Sequence, residues 1–164
     1  MDIVIALETY DDLFSDFDIR NFSERTISKD FLDEMNLRMS KLDSIDQLRV
    51  VFVIPNAHRA KSQEIIILNR IRKFFQYRYT RYCQKDKRIK VRSGVYVLIG
   101  LLLLVFANFI YNFVPVVFKD FLLIPSWYFI WSGLDQYLST REGVTRKKRY
   151  YGILSNAELE FKDK

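Results

Sequence analysis

At 164 residues, with 49% hydrophobic and 16% aromatic side chains, the chain has room for one small domain and one apolar element, and not for two full domains. The single cysteine, Cys83, excludes an internal disulfide, and the five glycines, at 94, 100, 133, 143 and 152, form no phosphate-cradling loop. The net charge of +6 hides a segregation: residues 1–50 carry −6, residues 51–92 carry +10, residues 93–140 carry −1 and residues 141–164 carry +3.

The stretch from Met1 to Glu8 lacks the basic and long apolar parts of a secretory signal, which predicts an N-terminus that stays where it was made. Residues 2–7 suit a short strand, the favoured reading, or the start of a helix. Residues 8–27 mix acids and aromatics without a period and read as irregular, with a helical turn around Tyr10–Phe14. Ser28 is placed to cap a helix whose apolar face is Phe31, Leu32, Met35, Met39 and Leu42, with Asp30, Asp33 and Glu34 near its positive end. Leu48 to Ile54 is β-branched and nearly all apolar up to Pro55, the pattern of a central strand. After a turn at 56–61, a helix is expected from Ser62 to about Lys85 or further into the membrane, with a stripe at Ile65, Leu68, Arg72, Phe75, Tyr79 and Tyr82.

From Ser93 to Phe118 there are 26 residues without a charge, where about 20 suffice to cross a bilayer. This predicts a first span near 94–113, a turn over 114–120 with Pro115, and a second span of marginal length over 121–138 that contains Asp135; the alternatives are one span followed by an interfacial or re-entrant segment, and a buried helical hairpin in a soluble protein. Ten Lys/Arg in 70–92 and five in 141–149 flank these spans, against Lys119 alone between them, so the positive-inside rule puts both termini in the cytoplasm. Ala157 to Lys162 then alternates apolar and polar, as a half-exposed strand does. The expected fold is α+β, a small cytoplasmic domain with a short mixed or antiparallel sheet anchored by a transmembrane helical hairpin. Its parts are 1–92, 93–138 and a tail, 139–164, that returns a strand to the first part.

Residues with chemical potential are few. Asp11, Asp12, Asp16 and Asp18 supply hard oxygens, but no glycine turn or second ligand set stands at a metal-loop spacing, which favours a solvated or ion-paired loop. His58 and Cys83 have no zinc spacing and no nucleophile signature. Ser15, Ser23 and Ser28 lack a nucleophile-elbow context. No catalytic residue, cofactor or metal is therefore assigned. The basic, aromatic stretch 70–92 suits either anionic lipid or nucleic acid. Its position beside the apolar run explains the charge without nucleic acid, so anionic head groups are the expected contact. The residues are Arg70, Lys73, Arg81, Lys85, Lys87, Arg88, Lys90 and Arg92, with Arg146, Lys147, Lys148 and Arg149 after the apolar part. Asn108, Asn112, Ser126, Ser132 and Asp135 are expected to bond between helices rather than to line a pore. In the acidic segment, aromatics with a charged rim suit a protein interface, and the candidate surface is Phe14, Asp16, Phe17, Asp18, Arg20, Phe22, Glu24 and Arg25.

The segment Ser15-Asp-Phe-Asp-Ile-Arg-Asn-Phe-Ser-Glu-Arg, followed by Ser28-Lys-Asp-Phe-Leu, resembles a pattern in small bacterial two-span membrane proteins of unassigned activity. The resemblance covers about the N-terminal fifth and the general layout. It implies a membrane location, attaches no enzyme or ligand, and draws attention to Arg20, Glu24 and Arg25, which otherwise read as tying the loop to the helix at 28–42. The expected function is a non-enzymatic two-span membrane anchor or adaptor that recruits a cytoplasmic partner to the membrane, with a protein partner or a homo-oligomer expected. The alternatives are an oligomerising, membrane-permeabilising effector and, third, a carboxylate-dependent enzyme.

Overall fold

The computed structural model describes residues 2–40, 47–110 and 116–163, and the side chains of all of these except 116–120. Strand β1 (Asp2–Ala6) is followed by a 3-10 turn (Tyr10–Leu13), helix α1 (Lys29–Ser40), strand β2 (Arg49–Ile54) and a short turn (Asn56–His58). Two long helices, α2 (Lys61–Phe109) and α3 (Val116–Ser155), then lead to strand β3 (Glu158–Asp163). The chain divides into two compact units: Met1–Tyr79 with Arg149–Lys164, and Thr80–Lys148.

In the first unit the strands pair in the order β1-β2-β3, and both pairings are parallel. This corrects the expected mixed or antiparallel sheet. The physical reason is where the chain re-enters: the Glu158 amide donates to the Leu48 carbonyl, so β3 begins level with the start of β2 and must run alongside it. Period-two alternation turns Ile3, Ile5, Val50, Phe52, Ile54, Leu159 and Phe161 to one face, and all are buried. Phe31, Met35 and Met39 of α1 and Ile67, Ile71 and Phe75 of α2 belong to the same core. The Phe52 ring lies between those of Phe31, at 6.0 Å, and Phe161, at 5.2 Å. Leu42, the last residue of the expected α1 face, lies outside the described residues. The stripe of α2 is also corrected: Ile65 is 62% exposed, and the buried apolar positions of this part are 67, 71 and 75. The opposite sheet face carries Asp2, Val4, Arg49, Glu158 and Lys162, with Arg49 bonded to Glu158 at 3.0 Å.

In the second unit the expectation of a transmembrane helical hairpin is overturned. Among the described residues, α2 alone is long and apolar enough to cross a membrane. Helix α3 carries Ser126, Ser132, Asp135 and Gln136 within 11 residues, polar content that a lipid-exposed span bears at a cost, and Pro125 besides. The region expected to turn at 114–120 is helical from Val116, and the basic run 141–149 lies inside α3 as well. Positions 114 and 115, with the side chains of Lys119 and Asp120, lie outside the described residues.

The helices of this unit meet along small side chains. Asp86, Ser93, Gly100 and Ala107 recur at intervals of seven and are all buried. A Cβ added at Gly100 would stand 2.7 Å from the Ser126 carbonyl oxygen, and one at Gly133 would stand 2.9 Å from that of Ser93. Backbone approaches backbone at both levels, which only glycine permits here. The Tyr96 and Phe129 rings, 5.8 Å apart, close the side of the seam.

Candidate docking loop and membrane surface

The chemistry of the first unit concentrates in two places. At the end of β2 where the turn leads into α2, Arg59 donates to both oxygens of Glu64, at 2.8 and 2.9 Å, and to Asp163 at 2.6 Å. Tyr10 donates to Glu64 at 3.0 Å and accepts from the Ala60 amide at 2.8 Å. The Arg59 guanidinium holds the Glu64 carboxyl below the usual range, against the opposing effect of burial, with Tyr10 adding to the same direction. Each charged group here has its partner, so the cluster is a brace that ties the ends of β2 and β3 to the start of α2. His58 is exposed beside it, and Cys83 is half-buried on α2. Among the described residues no group of three His, Cys, Asp or Glu is placed to hold a metal.

The second place is the acidic loop. Its neck is closed by an antiparallel bridge between Phe14 and Ile27, with the Ser15 amide on the Thr26 carbonyl at 2.9 Å and the Ser28 amide on the Leu13 carbonyl at 3.0 Å. Residues 15–26 thus form a compact surface loop with adjacent ends. The Asp18 carboxylate organises it. It accepts from the Arg20 side chain at 2.9 and 2.7 Å, and from the Thr26 amide and hydroxyl, each at 2.8 Å. The Arg20 guanidinium, followed by Thr26, holds the Asp18 carboxyl far below the ordinary carboxylate range. Arg25 pairs with Asp11 and lies over the Phe14 and Phe22 rings. From α2, Arg70 donates to the carbonyls of Arg25, at 3.0 Å, and Glu24, at 3.2 Å.

This bracing sorts the proposed partner surface into two groups. Phe14 is 2% exposed and Phe22 half-buried, their rings 5.4 Å apart, so both belong to the packing and not to the surface. Phe17 is 100% exposed and Ile19 97%, with Asp16, Arg20 and Glu24 exposed around them. The ion pairs of Arg20 and Arg25 run within the segment, to Asp18 and Asp11, rather than to α1. A fully exposed Phe or Ile forgoes roughly 1.5–3 kcal/mol of burial. Two of them on a loop braced by Asp18 form a preorganised apolar knob rather than a floppy segment.

We expect Asp18→Asn to loosen this loop while the core stays folded, seen as faster protease cutting within 15–26. The wild-type loop should loosen in the same way in acid. A carboxyl whose folded pKa is depressed stabilises above its unfolded value, and the contribution is lost as pH falls through the lowered folded value. The protection of the loop should therefore persist well below pH 4, the ordinary carboxylate range. Cutting that is unchanged by the substitution removes the bracing role.

The second unit presents a different surface. Only 11% of the most apolar 18-residue window of α2 is buried, whereas the core helix of a soluble protein is mostly buried. Val95, Leu98, Leu102, Val105, Phe106 and Phe109 are all exposed, as are Phe121, Ile124, Trp127 and Trp131 of α3. The uncharged stretch of α2 from Ser93 to Phe109 is about 24 Å long at the helical rise, on the scale of the roughly 30 Å of bilayer hydrocarbon. Basic side chains gather at one end. Lys85 lies over the Tyr82 ring, Arg92 over Tyr96 and Arg141 over Tyr137. Arg81, Lys87, Arg88, Arg146 and Lys147 of this unit are exposed, and Lys73 and Arg149 are exposed on the first unit.

Several residues of the expected lipid contact are engaged with protein groups. Arg70 serves the loop, and Lys90 and Lys148 each stand 3.1 Å from Asp86. Lys90, with Lys148, holds the Asp86 carboxyl low despite its burial. Of the polar residues expected to bond between helices, Asn108 and Asp135 are exposed, Ser126 donates to the Leu122 carbonyl of its own helix at 2.5 Å, and Asn112 lies outside the described residues. The seam is instead made by Asp86, Ser93, Gly100 and Ala107, whose seven-residue spacing of small or polar side chains is a signal in the sequence, together with Gly133 of α3. No protein-family model matches the chain, and neither does any curated protein or solved structure.

Proposed function

We propose that the chain is a membrane-anchored adaptor. The apolar reach of α2 inserts into a bilayer, the first unit stays in water, and its acidic loop offers Phe17 and Ile19 to a protein. The observation that carries this reading is the complete exposure of two large apolar side chains on a braced loop, in a chain whose exposed apolar band has membrane length. Helix α3 lies against α2 through Gly100 and Gly133 and returns the chain to β3. The basic residues at 81–92 and 141–149 favour the cytoplasmic face and anionic head groups. Both β1 and β3 flank β2, which supports placing the two termini on that same side.

The test joins fractionation to a loop variant. The wild-type chain is expected to stay with membranes through an alkaline carbonate wash and to run in mild detergent as a complex larger than itself. Phe17→Ser/Ile19→Ser should stay with membranes and lose the complex. A chain that is soluble without detergent, or a complex indifferent to the double substitution, overturns the reading. The permeabilising alternative predicts dye uptake on expression, where the adaptor leaves the membrane potential intact.

A further inference from the structure

The knob has a counterpart on the same unit. Residues 8–26 hold six Asp/Glu against two Lys/Arg, a net of −4, and residues 61–79 of α2 hold five Lys/Arg against one Glu, a net of +4. On α2 the face opposite Ile67, Ile71 and Phe75 exposes apolar side chains among these bases. Ile65, Ile66 and Tyr77 are each 44% exposed or more, and Arg72 and Lys73 are exposed between them. At 100° per residue these five positions fall within about 140° of the helix circumference. An apolar patch with a basic rim therefore matches an apolar knob with an acidic rim, in charge sign and in chemical character.

We propose that the loop docks onto this α2 face in a second copy of the chain, Phe17 and Ile19 seating against Ile65, Ile66 and Tyr77 while Asp16 faces Arg72 and Lys73. This rests on the reading of the loop as a docking surface and names its partner. Because knob and patch belong to one unit, a two-fold axis satisfies both contacts at once and closes the assembly as a dimer. A lipid surface is the poorer occupant, since the acidic rim of the loop is repelled by anionic head groups.

The decisive experiment places a photo-cross-linking p-benzoylphenylalanine at Phe17 in the full-length chain, in membranes. The expected product has twice the mass of the chain, with the new bond mapping to residues 65–77. A bond to lipid, a bond to another protein, or no product overturns the proposal. Binding strength supplies a second readout, measured by energy transfer between chains dye-labelled at the C-terminus and reconstituted in vesicles. Phe17→Ser/Ile19→Ser should weaken the dimer at least tenfold, as loss of a central apolar anchor does. Asp16→Lys and Lys73→Asp should each weaken it severalfold, and mixing the two variants should restore it, because each loop then meets a face of opposite sign. Failure of the mixture to recover overturns the pairing. Carbonate washing of the same membranes keeps the two ideas apart. A chain that stays in the membrane as a monomer refutes the dimer alone, and a chain that dimerises but washes off refutes the anchor alone.

Discussion

Gly133→Leu is expected to force apart the helices of the second unit, at a cost of about 3 kcal/mol, and Gly100→Leu to do the same. The argument is one of distance. At Gly133 a bare Cβ would already meet the Ser93 carbonyl oxygen at 2.9 Å and the Val97 side chain at 2.8 Å, and at Gly100 it would meet the Ser126 carbonyl at 2.7 Å. A flexible side chain can move aside, but a helix carbonyl moves only with its helix. Alanine at these positions should therefore destabilise as well, by about 1–3 kcal/mol. Gly94 and Gly143 provide the control, since a Cβ at either meets nothing within 4 Å. There alanine removes the conformational freedom of glycine and should be neutral or stabilising by up to about 1 kcal/mol. The same change at four glycines thus has two signs. Denaturant or thermal unfolding of the detergent-solubilised chain, followed by helix content, measures it, and four similar responses would contradict the seam. Separation also strips Lys148 from Asp86, leaving Lys90 as its described ion-pair partner. The carboxyl should then titrate closer to its ordinary value.

The seam shows where reading the sequence stops. The run from Ser93 to Phe118 announces an apolar helix by composition alone, but a greasy background hides a period of small residues within it. Gly94 and Gly100 stand six apart and draw the eye, whereas the contacts follow Ser93, Gly100 and Ala107, seven apart. On α2 the Phe75 position is legible and its neighbours are not. Ile65, Leu68, Arg72 and Phe75 form as regular a stripe as Ile67, Ile71 and Phe75, and the sheet selects the second. Strands β1, β2 and β3 are legible from their alternation or β-branching. Their parallel order is not, because it depends on which end of the sheet the chain reaches after two long helices. The acidic loop is legible as a surface. That Phe14 and Phe22 turn in while Phe17 turns out follows from the Phe14–Ile27 bridge and the Asp18 bonds, which have no period at all. The membrane-length helix is the clearest signal in the chain, and the second span is the one the polar content of α3 removes.

Deleting residues 157–164 is expected to unfold the first unit and to leave the helices of the second unit formed. Strand β3 covers one edge of β2, buries Leu159 and Phe161, and brings Asp163 to Arg59 and Glu158 to Arg49. Burial of the two side chains alone contributes about 3–6 kcal/mol, against a total stability of about 5–15 kcal/mol for a domain. A single substitution gives the graded version. Phe161 lies 5.2 Å from the Phe52 ring and 5.5 Å from that of Tyr10, so Phe161→Ala should cost about 3–5 kcal/mol. Arg49→Ala removes an exposed ion pair on the same strand pairing and should be barely measurable. Limited proteolysis and amide exchange over residues 2–54 read the outcome in full-length chain and deletion side by side. The second unit serves as the reference, because its helices pack on each other along Ser93, Gly100 and Gly133. If residues 2–54 keep their protection without β3, the sheet is complete with two strands and the core is drawn wrongly. If they lose it, the loop that carries Phe17 and Ile19 has no stable base until α2 and α3 have been made and the last strand has returned. Docking through that loop is then restricted to chains whose helical unit is already in place.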